Sequence, residues 1–103
     1  MLDGIHKIHL IGIAGSGMRA IANILISQGF EVSGSDIQES AVTERFRKMG
    51  ATIHIGHNAE YVKGVDAVVR STAIHADNPE LMAAQELQIP ILHRSDIVKA
   101  VLD

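Results

Sequence analysis

The sequence predicts a doubly wound, Rossmann-like α/β domain whose five-stranded parallel sheet has the order 3-2-1-4-5. Three observations carry this. Short apolar runs alternate with helix-periodic segments along all 103 residues, and parallel strands need crossovers that pass over the sheet with a right-handed sense. A hydrophobic fraction of 47% with only 3% aromatic residues leaves Ile, Val, Leu, Ala and Met to fill the core, as in a parallel sheet covered by helices. The first apolar run breaks into the glycine-rich stretch Gly12-Ile13-Ala14-Gly15-Ser16-Gly17, the way such folds turn from strand to helix over a ligand. The length is that of one domain.

After a short lead-in, Met1 to His6, the run Lys7 to Ile13 is nearly continuous in apolar residues, as expected of a strand buried on both faces. Met18, Ile21, Ala22 and Leu25 recur at i, i+3, i+4 and i+7, an amphipathic helix opening near Ser16 and stopped by Gly29. Phe30 to Ser35 is the second strand, ending at Asp36. Ser40 or a neighbour caps a helix with Val42, Phe46 and Met49 on one face, a Glu44 to Lys48 pair and Gly50 as its stop. Ala51 to Ile55 is the third strand, and Asn58 to Val62 holds little more than one helical turn. Ala67 to Ala73 is the fourth strand. Asn78, Pro79 and Glu80 suit the N-cap, first helical position and first turn of a helix reaching about Leu87. Ile91 to His93 is the fifth strand, ended by Arg94. Ser95 and Asp96 open a last helix whose Ile97, Val98, Val101 and Leu102 face inward.

A net charge of -3 gives no basic footprint for nucleic acid or an anionic membrane. With no cysteine there is neither a disulfide framework nor a thiolate metal site. No signal peptide and no apolar run of membrane-spanning length is found, so a cytoplasmic protein is expected.

The chemistry gathers at the glycine turn. A helix beginning near Ser16 aims its free N–H groups and positive dipole end at whatever lies above, and a phosphate suits that place. In the predicted strand order the chain reverses between strands one and four, so Ser71, Thr72 and Ala73 face the turn across a ligand crevice. Against the dinucleotide fingerprint G-x-G-x-x-G, Gly12 and Gly17 match but the middle position is Ala14, which shifts any phosphate towards Gly15. Asp36, 19 residues after Gly17, stands where an acidic residue meets a ribose hydroxyl in such domains; a turn cap is the alternative. His57 and His93 fall at strand ends on the ligand side, whereas His6, His9 and His54 read as packing or edge residues. Arg94 is the fixed positive charge at the end of the fifth strand, placed either to reach an anionic group or as a surface or interface residue. No nucleophile with an adjacent base, no carboxylate pair, no metal-ligating spacing and no G-x-x-x-x-G-K-[ST] loop occurs, so no catalytic residue and no metal ligand is expected.

Taken together, IHLIGIAGSGM, VSGSD, IGH, STAI with ADNPE, and PILHR resemble the N-terminal domain of the Mur ligase family, over essentially the whole chain. The STAI and DNPE stretches look most like its alanine-adding branch. The resemblance implies one N-terminal domain, 1–103, that holds the UDP portion of UDP-N-acetylmuramate, with the central ATP-binding and C-terminal domains absent. It further implies that the full enzyme uses ATP and Mg²⁺ to activate the muramyl carboxylate for attack by L-alanine in peptidoglycan synthesis, and that this domain alone does not turn over ATP. The positions matching the family's UDP-site motifs are Gly12, Ala14, Gly15, Ser16, Gly17, Met18, Ser35, Asp36, His57, Ser71, Thr72 and Ala73, with Asn78 and Arg94. Ala14 stands where the family has a glycine. Two other readings accommodate Gly12, Gly17 and Asp36: an NAD(P)-binding module of a dehydrogenase or ligand-sensing regulator, and a scaffold that has kept the fold without a ligand.

Overall fold

The computed structural model describes residues 3–102, with side chains through residue 100. It has strands β1 (Lys7–Ile11), β2 (Glu31–Asp36), β3 (Thr52–Ile55), β4 (Ala67–Arg70) and β5 (Ile91–His93). Its helices are α1 (Ser16–Ser27), α2 (Ala41–Lys48), α3 (Pro79–Glu86) and α4 (Arg94–Leu102), with a 3-10 turn at Ala59–Val62. All strand pairs are parallel, in the order β3-β2-β1-β4-β5. The expected inward packing of Val101 and Leu102, and the lead-in residues Met1 and Leu2, lie outside what is described.

The two sheet faces carry different cores. On one, Ile8, Leu10, Val32, Ile53 and Val69 pack against Met18, Ile21, Ala22 and Leu25 of α1, Phe46 of α2 and Ile97 of α4. On the other, Ile11 and Val68 meet Val62, Leu81 and Ala84 beneath the 3-10 turn and α3. This second face is thin in apolar residues, because β1 and β2 present His9, Ser33 and Ser35 there, hydrogen-bonded rather than packed.

Local chemistry sets the boundaries. β1 stops at Ile11, two residues short of the sequence expectation, because Gly12 turns to φ +75° and its N–H and that of Ile13 both donate to Ser35 O at 2.8 and 3.0 Å. Ile13 is thereby folded back over β2, where a Cβ on Gly34 would lie 2.6 to 2.9 Å from three of its side-chain atoms. β4 ends at Arg70 rather than Ala73, since its last pairing is Arg70 with His93; Ser71 to Ile74 forms a turn closed by Ile74 N–H to Ser71 O at 3.2 Å. Arg94 is the first residue of α4, not the end of β5.

α2 begins in a capping box, in which Ser40 and Thr43 each accept from the other's backbone N–H. Met49 is at the C-cap and 41% exposed rather than on the inner face, because the helix buries only the stripe of Thr43 and Phe46. Glu44 pairs with Arg47 at 3.5 Å, three residues on, instead of Lys48, since Arg47 also binds Glu39 at 2.6 Å and is held on that side. Ser40→Ala is expected to cost about 1 kcal/mol, read as a lower urea midpoint with an unchanged m-value.

Candidate functional site

At the C-terminal edge of the sheet the chain opens a crevice of about 510 Å³ between the glycine turn and the Ser71 to Ile74 turn. Eleven of the fourteen residues singled out in the sequence line it: Gly12, Gly15, Ser16, Gly17, Met18, Asp36, His57, Ser71, Thr72, Ala73 and Arg94. Ile37 and Ile74 join them. A hollow of about 430 Å³ adjoins, sharing Ile37, His57, Ala73 and Ile74 and continuing to His75, Asp77, Asn78 and Pro79.

One wall is the start of α1. Gly15 is its N-cap and offers no side-chain cap. Gly15 O accepts from Met18 N at 2.9 Å and Arg19 N at 3.1 Å, while Gly15 N is turned back onto Gly12 O at 3.0 Å. The N–H groups of Ser16 and Gly17 have no partner among the described residues, so two donors and the dipole's positive end face the crevice. Arg94 leans over the same helix end, and a Cβ on Gly17 would lie 2.9 Å from its Nε. The third glycine thus makes room for a guanidinium. Arg94 forms no ion pair among the described residues.

The opposite wall is held by a residue the sequence left unassigned. Arg70 donates from Nε to Ser71 O at 3.2 Å and from Nη2 to Ile74 O at 2.6 Å, pinning the turn that carries Ser71, Thr72 and Ala73. Asp36 stands between the walls. Its carboxylate accepts from Ala14 N at 3.0 Å and Ile37 N at 2.8 Å, so one oxygen braces the glycine turn and the other caps its own strand end. Ile37 beyond it is 76% exposed at the rim, an apolar side chain that the described residues leave uncovered.

Three of the named residues do not line the main crevice. Ala14 faces a smaller recess with Arg19, Asp36, Gln38 and Ser40, and its N–H is spent on Asp36. Ser35 is fully buried, its hydroxyl donating to Glu80 at 2.6 Å. Asn78 caps α3, accepting from Glu80 N at 2.9 Å and Leu81 N at 3.4 Å, and only borders the adjoining hollow.

The sequence places Glu80 in the first turn of a helix, and the structure keeps it there but buries it fully. Its carboxylate accepts from His9 Nε2, Ser35 Oγ and His57 Nδ1, each at 2.6 Å, and from Asn58 N at 3.3 Å. Burial raises its carboxyl, but the hydrogen bonds from His9, Ser35 and His57 outweigh that and hold it below the ordinary carboxylate range. His9, expected as a packing or edge residue, is a fully buried member of this network because β1 is the central strand. A Ser-rich β2 opposite a histidine in the central strand was the available sign of a polar interior. His93 Nδ1 bonds Ser95 at the start of α4 and does not reach the crevice lining.

A separate hollow of about 430 Å³ lies over the second sheet face beside the stacked His54 and Tyr61 rings. Its charges are already paired, Lys7 with Glu31 at 3.8 Å and Lys63 with Glu60 at 3.0 Å, and it has no helix N-terminus. Among the described residues no group of three His, Asp or Glu side chains is arranged to hold a metal ion, and no helix is long and apolar enough to cross a membrane.

The fold recurs in known proteins. A solved UDP-N-acetylmuramate-alanine ligase, MurC, from Thermotoga maritima is 38% identical, with a TM-score of 0.87 over 93% of this chain and 22% of that one. A pseudomurein peptide ligase type C from Methanothermus fervidus is 27% identical, with a TM-score of 0.76 over 91% of this chain and 20% of that one. The UDP-N-acetylmuramate:L-alanyl-gamma-D-glutamyl-meso-diaminopimelate ligase from Neisseria meningitides shares the fold at 24% identity, with a TM-score of 0.85 over 94% of this chain and 31% of that one. The chain therefore spans between a fifth and a third of the length of these relatives. The model of the family described as "Mur ligase family, catalytic domain" matches residues 7–103, from the first residue of β1 through the glycine turn and both crevice walls, and the chain belongs to the Mur ligase family.

Proposed function

We propose that this chain is the N-terminal, substrate-holding domain of a peptidoglycan ligase and binds the UDP portion of UDP-N-acetylmuramate in the crevice above β1 and β4. The observation that carries the reading is the pairing of two free N–H groups, on Ser16 and Gly17, with the unpaired guanidinium of Arg94. Together they make a compact anion site. The adjoining hollow between Ile37 and Ile74 offers apolar contact for a base. Because Ala14 N–H is committed to Asp36, the diphosphate belongs over Ser16 and Gly17 rather than at Ala14. The same bond disfavours NAD, whose ribose hydroxyl is met by an acidic side chain turned outward.

The similarity to MurC supports the alanine-adding reaction in the full-length protein. There the muramyl carboxylate is phosphorylated by ATP, the L-alanine amine attacks the acyl phosphate, and phosphate leaves as the amide forms. The residues of this chain do not fit ATP with Mg²⁺, since it has no phosphate-binding G-x-x-x-x-G-K-[ST] loop and no converging carboxylates among the described residues. Those groups belong to domains beyond this one, in a cytoplasmic enzyme.

Titration with UDP-N-acetylmuramate, UMP and NADH, followed by backbone amide shifts, is expected to move Gly15, Gly17 and Asp36 with the uridine compounds only. Selective response to NADH would sink the proposal. Arg94→Ala is expected to weaken UMP binding about tenfold, as befits one charge-assisted hydrogen bond, with uridine itself little affected. ATP turnover by the 103 residues alone would contradict the domain assignment.

A further inference from the structure

We propose that Glu80 is a positioning residue for His57: its buried carboxylate pins the imidazole proton on Nδ1 and leaves Nε2 facing the crevice as a hydrogen-bond acceptor. The ligand side of this inference rests on the uridine nucleotide reading above; the Glu80 side does not.

A carboxylate without solvent contact is tolerated only when its oxygens are satisfied. Here Oε1 takes His9 Nε2 and Ser35 Oγ, and Oε2 takes His57 Nδ1 and Asn58 N. Four donors on two oxygens fill the usual capacity of an ionised carboxylate, which can only accept. His57 Nδ1 must therefore be the donor. Ser35 Oγ, 3.3 Å from the same nitrogen, gives its own proton to Glu80 and does not compete for that role.

In a singly protonated imidazole the other nitrogen is then an acceptor. His57 Nε2 has no hydrogen bond among the described residues, and the ring lines both the crevice and its adjoining hollow. A phosphate group, itself an acceptor, gains nothing there. The complementary ligand group is a donor, and a uridine nucleotide has two kinds, the imide N–H of the base and the ribose hydroxyls. Labour is thus divided: Ser16, Gly17 and Arg94 take negative charge, and His57 reads the nucleoside.

The free chain tests the first half directly. In the singly protonated ring, imidazole ¹⁵N–¹H correlation spectra are expected to show His57 protonated on Nδ1 with Nε2 bare. A proton on Nε2 overturns the inference whatever the chain binds. In Glu80→Gln, which keeps the shape but replaces the ionic acceptor, the His57 Nδ1–H signal is expected to shift and UMP binding to weaken at least tenfold. An unchanged His57 signal in a folded variant counts against the role. Should the variant not fold, the unsubstituted chain still decides through two ligand analogues. N3-methyl-UMP lacks the imide N–H, and 2′,3′-dideoxy-UMP lacks both ribose hydroxyls. A tenfold loss with either identifies the donor that His57 reads, and equal binding of both with UMP overturns its acceptor role. Silence towards UMP itself refutes the uridine reading and leaves the tautomer measurement to judge Glu80.

Discussion

Glu80→Ala is expected to destabilise the chain by about 3–5 kcal/mol, the scale for removing one partner from a buried charged cluster. His9 and Ser35 would keep their donors in a region with no solvent access, and His57 would lose its orientation. A domain of this size has roughly 5–15 kcal/mol in total, so urea unfolding should show a midpoint reduced by about half. The pH dependence carries the signature. Glu80 is held below the ordinary carboxylate value of 4.5 in the fold, so the network's contribution is complete above that value and is lost as pH falls through the lowered one. His54 is also lowered from 6.5, by burial first and then by the neighbouring His9. The unfolded chain therefore takes up the His54 proton first, and stability begins to fall as pH drops below 6.5. Acid unfolding of the unsubstituted chain is expected in two stages. The lower stage should shrink in Glu80→Ala, leaving only what Asp66 and Glu39 contribute, whose carboxyls are also lowered by hydrogen bonds from Lys7 N and from Arg47; a lower stage of undiminished size would show that another carboxylate governs acid unfolding.

The second large effect is expected at a glycine with an ordinary φ. Gly34→Ala places a methyl carbon 2.6 Å from Ile13 Cδ1, 2.7 Å from its Cβ and 2.9 Å from its Cγ2. Ile13 is fully buried in the main core and cannot swing away without vacating it. Overpacking of this kind costs about 1–3 kcal/mol, a fall of roughly 5 to 20 °C in Tm for a domain of this length. The displaced Ile13 also carries the neighbouring Gly12, so uridine nucleotide affinity should drop with stability. Ile13→Ala combined with Gly34→Ala is expected to cost less than the two separate losses added. Strict additivity would show that the clash is relieved elsewhere.

What the residues declare locally is read correctly from the chain: the periodicity of α1, the Asn78 cap, the glycine turn and the place of each strand along the chain, though not where β1 and β4 end. These signals are short in range, since a cap or an amphipathic stripe is complete within a few residues of itself. The crevice follows from them, because strand order and handedness bring the ends of β1 and β4 together whatever side chains they carry. That is why eleven of the fourteen named residues share one cavity.

Arg94 and Arg70 were less legible. One lies against Gly17 from a different helix and the other folds back onto carbonyls of its own turn, and neither placement leaves a periodic trace. Met49 was misplaced because its inner-face spacing takes effect only if the helix runs on, and α2 ends one residue earlier.

The sequence by itself determined the α/β class, the sheet order, the anion-ready start of α1 and the family. Only the tertiary structure decided that Ala14 N–H is spent on Asp36, that Ser35 is turned away from the crevice, and that Glu80 joins His9 and His57 under α3. The physical reason is separation. Glu80 lies 71 residues from His9 and 23 from His57, and whether its carboxylate meets water or two imidazoles depends on how α3 is laid across the sheet. A helix start is written in adjacent residues, whereas a buried charge is satisfied only by partners that the completed fold brings to it.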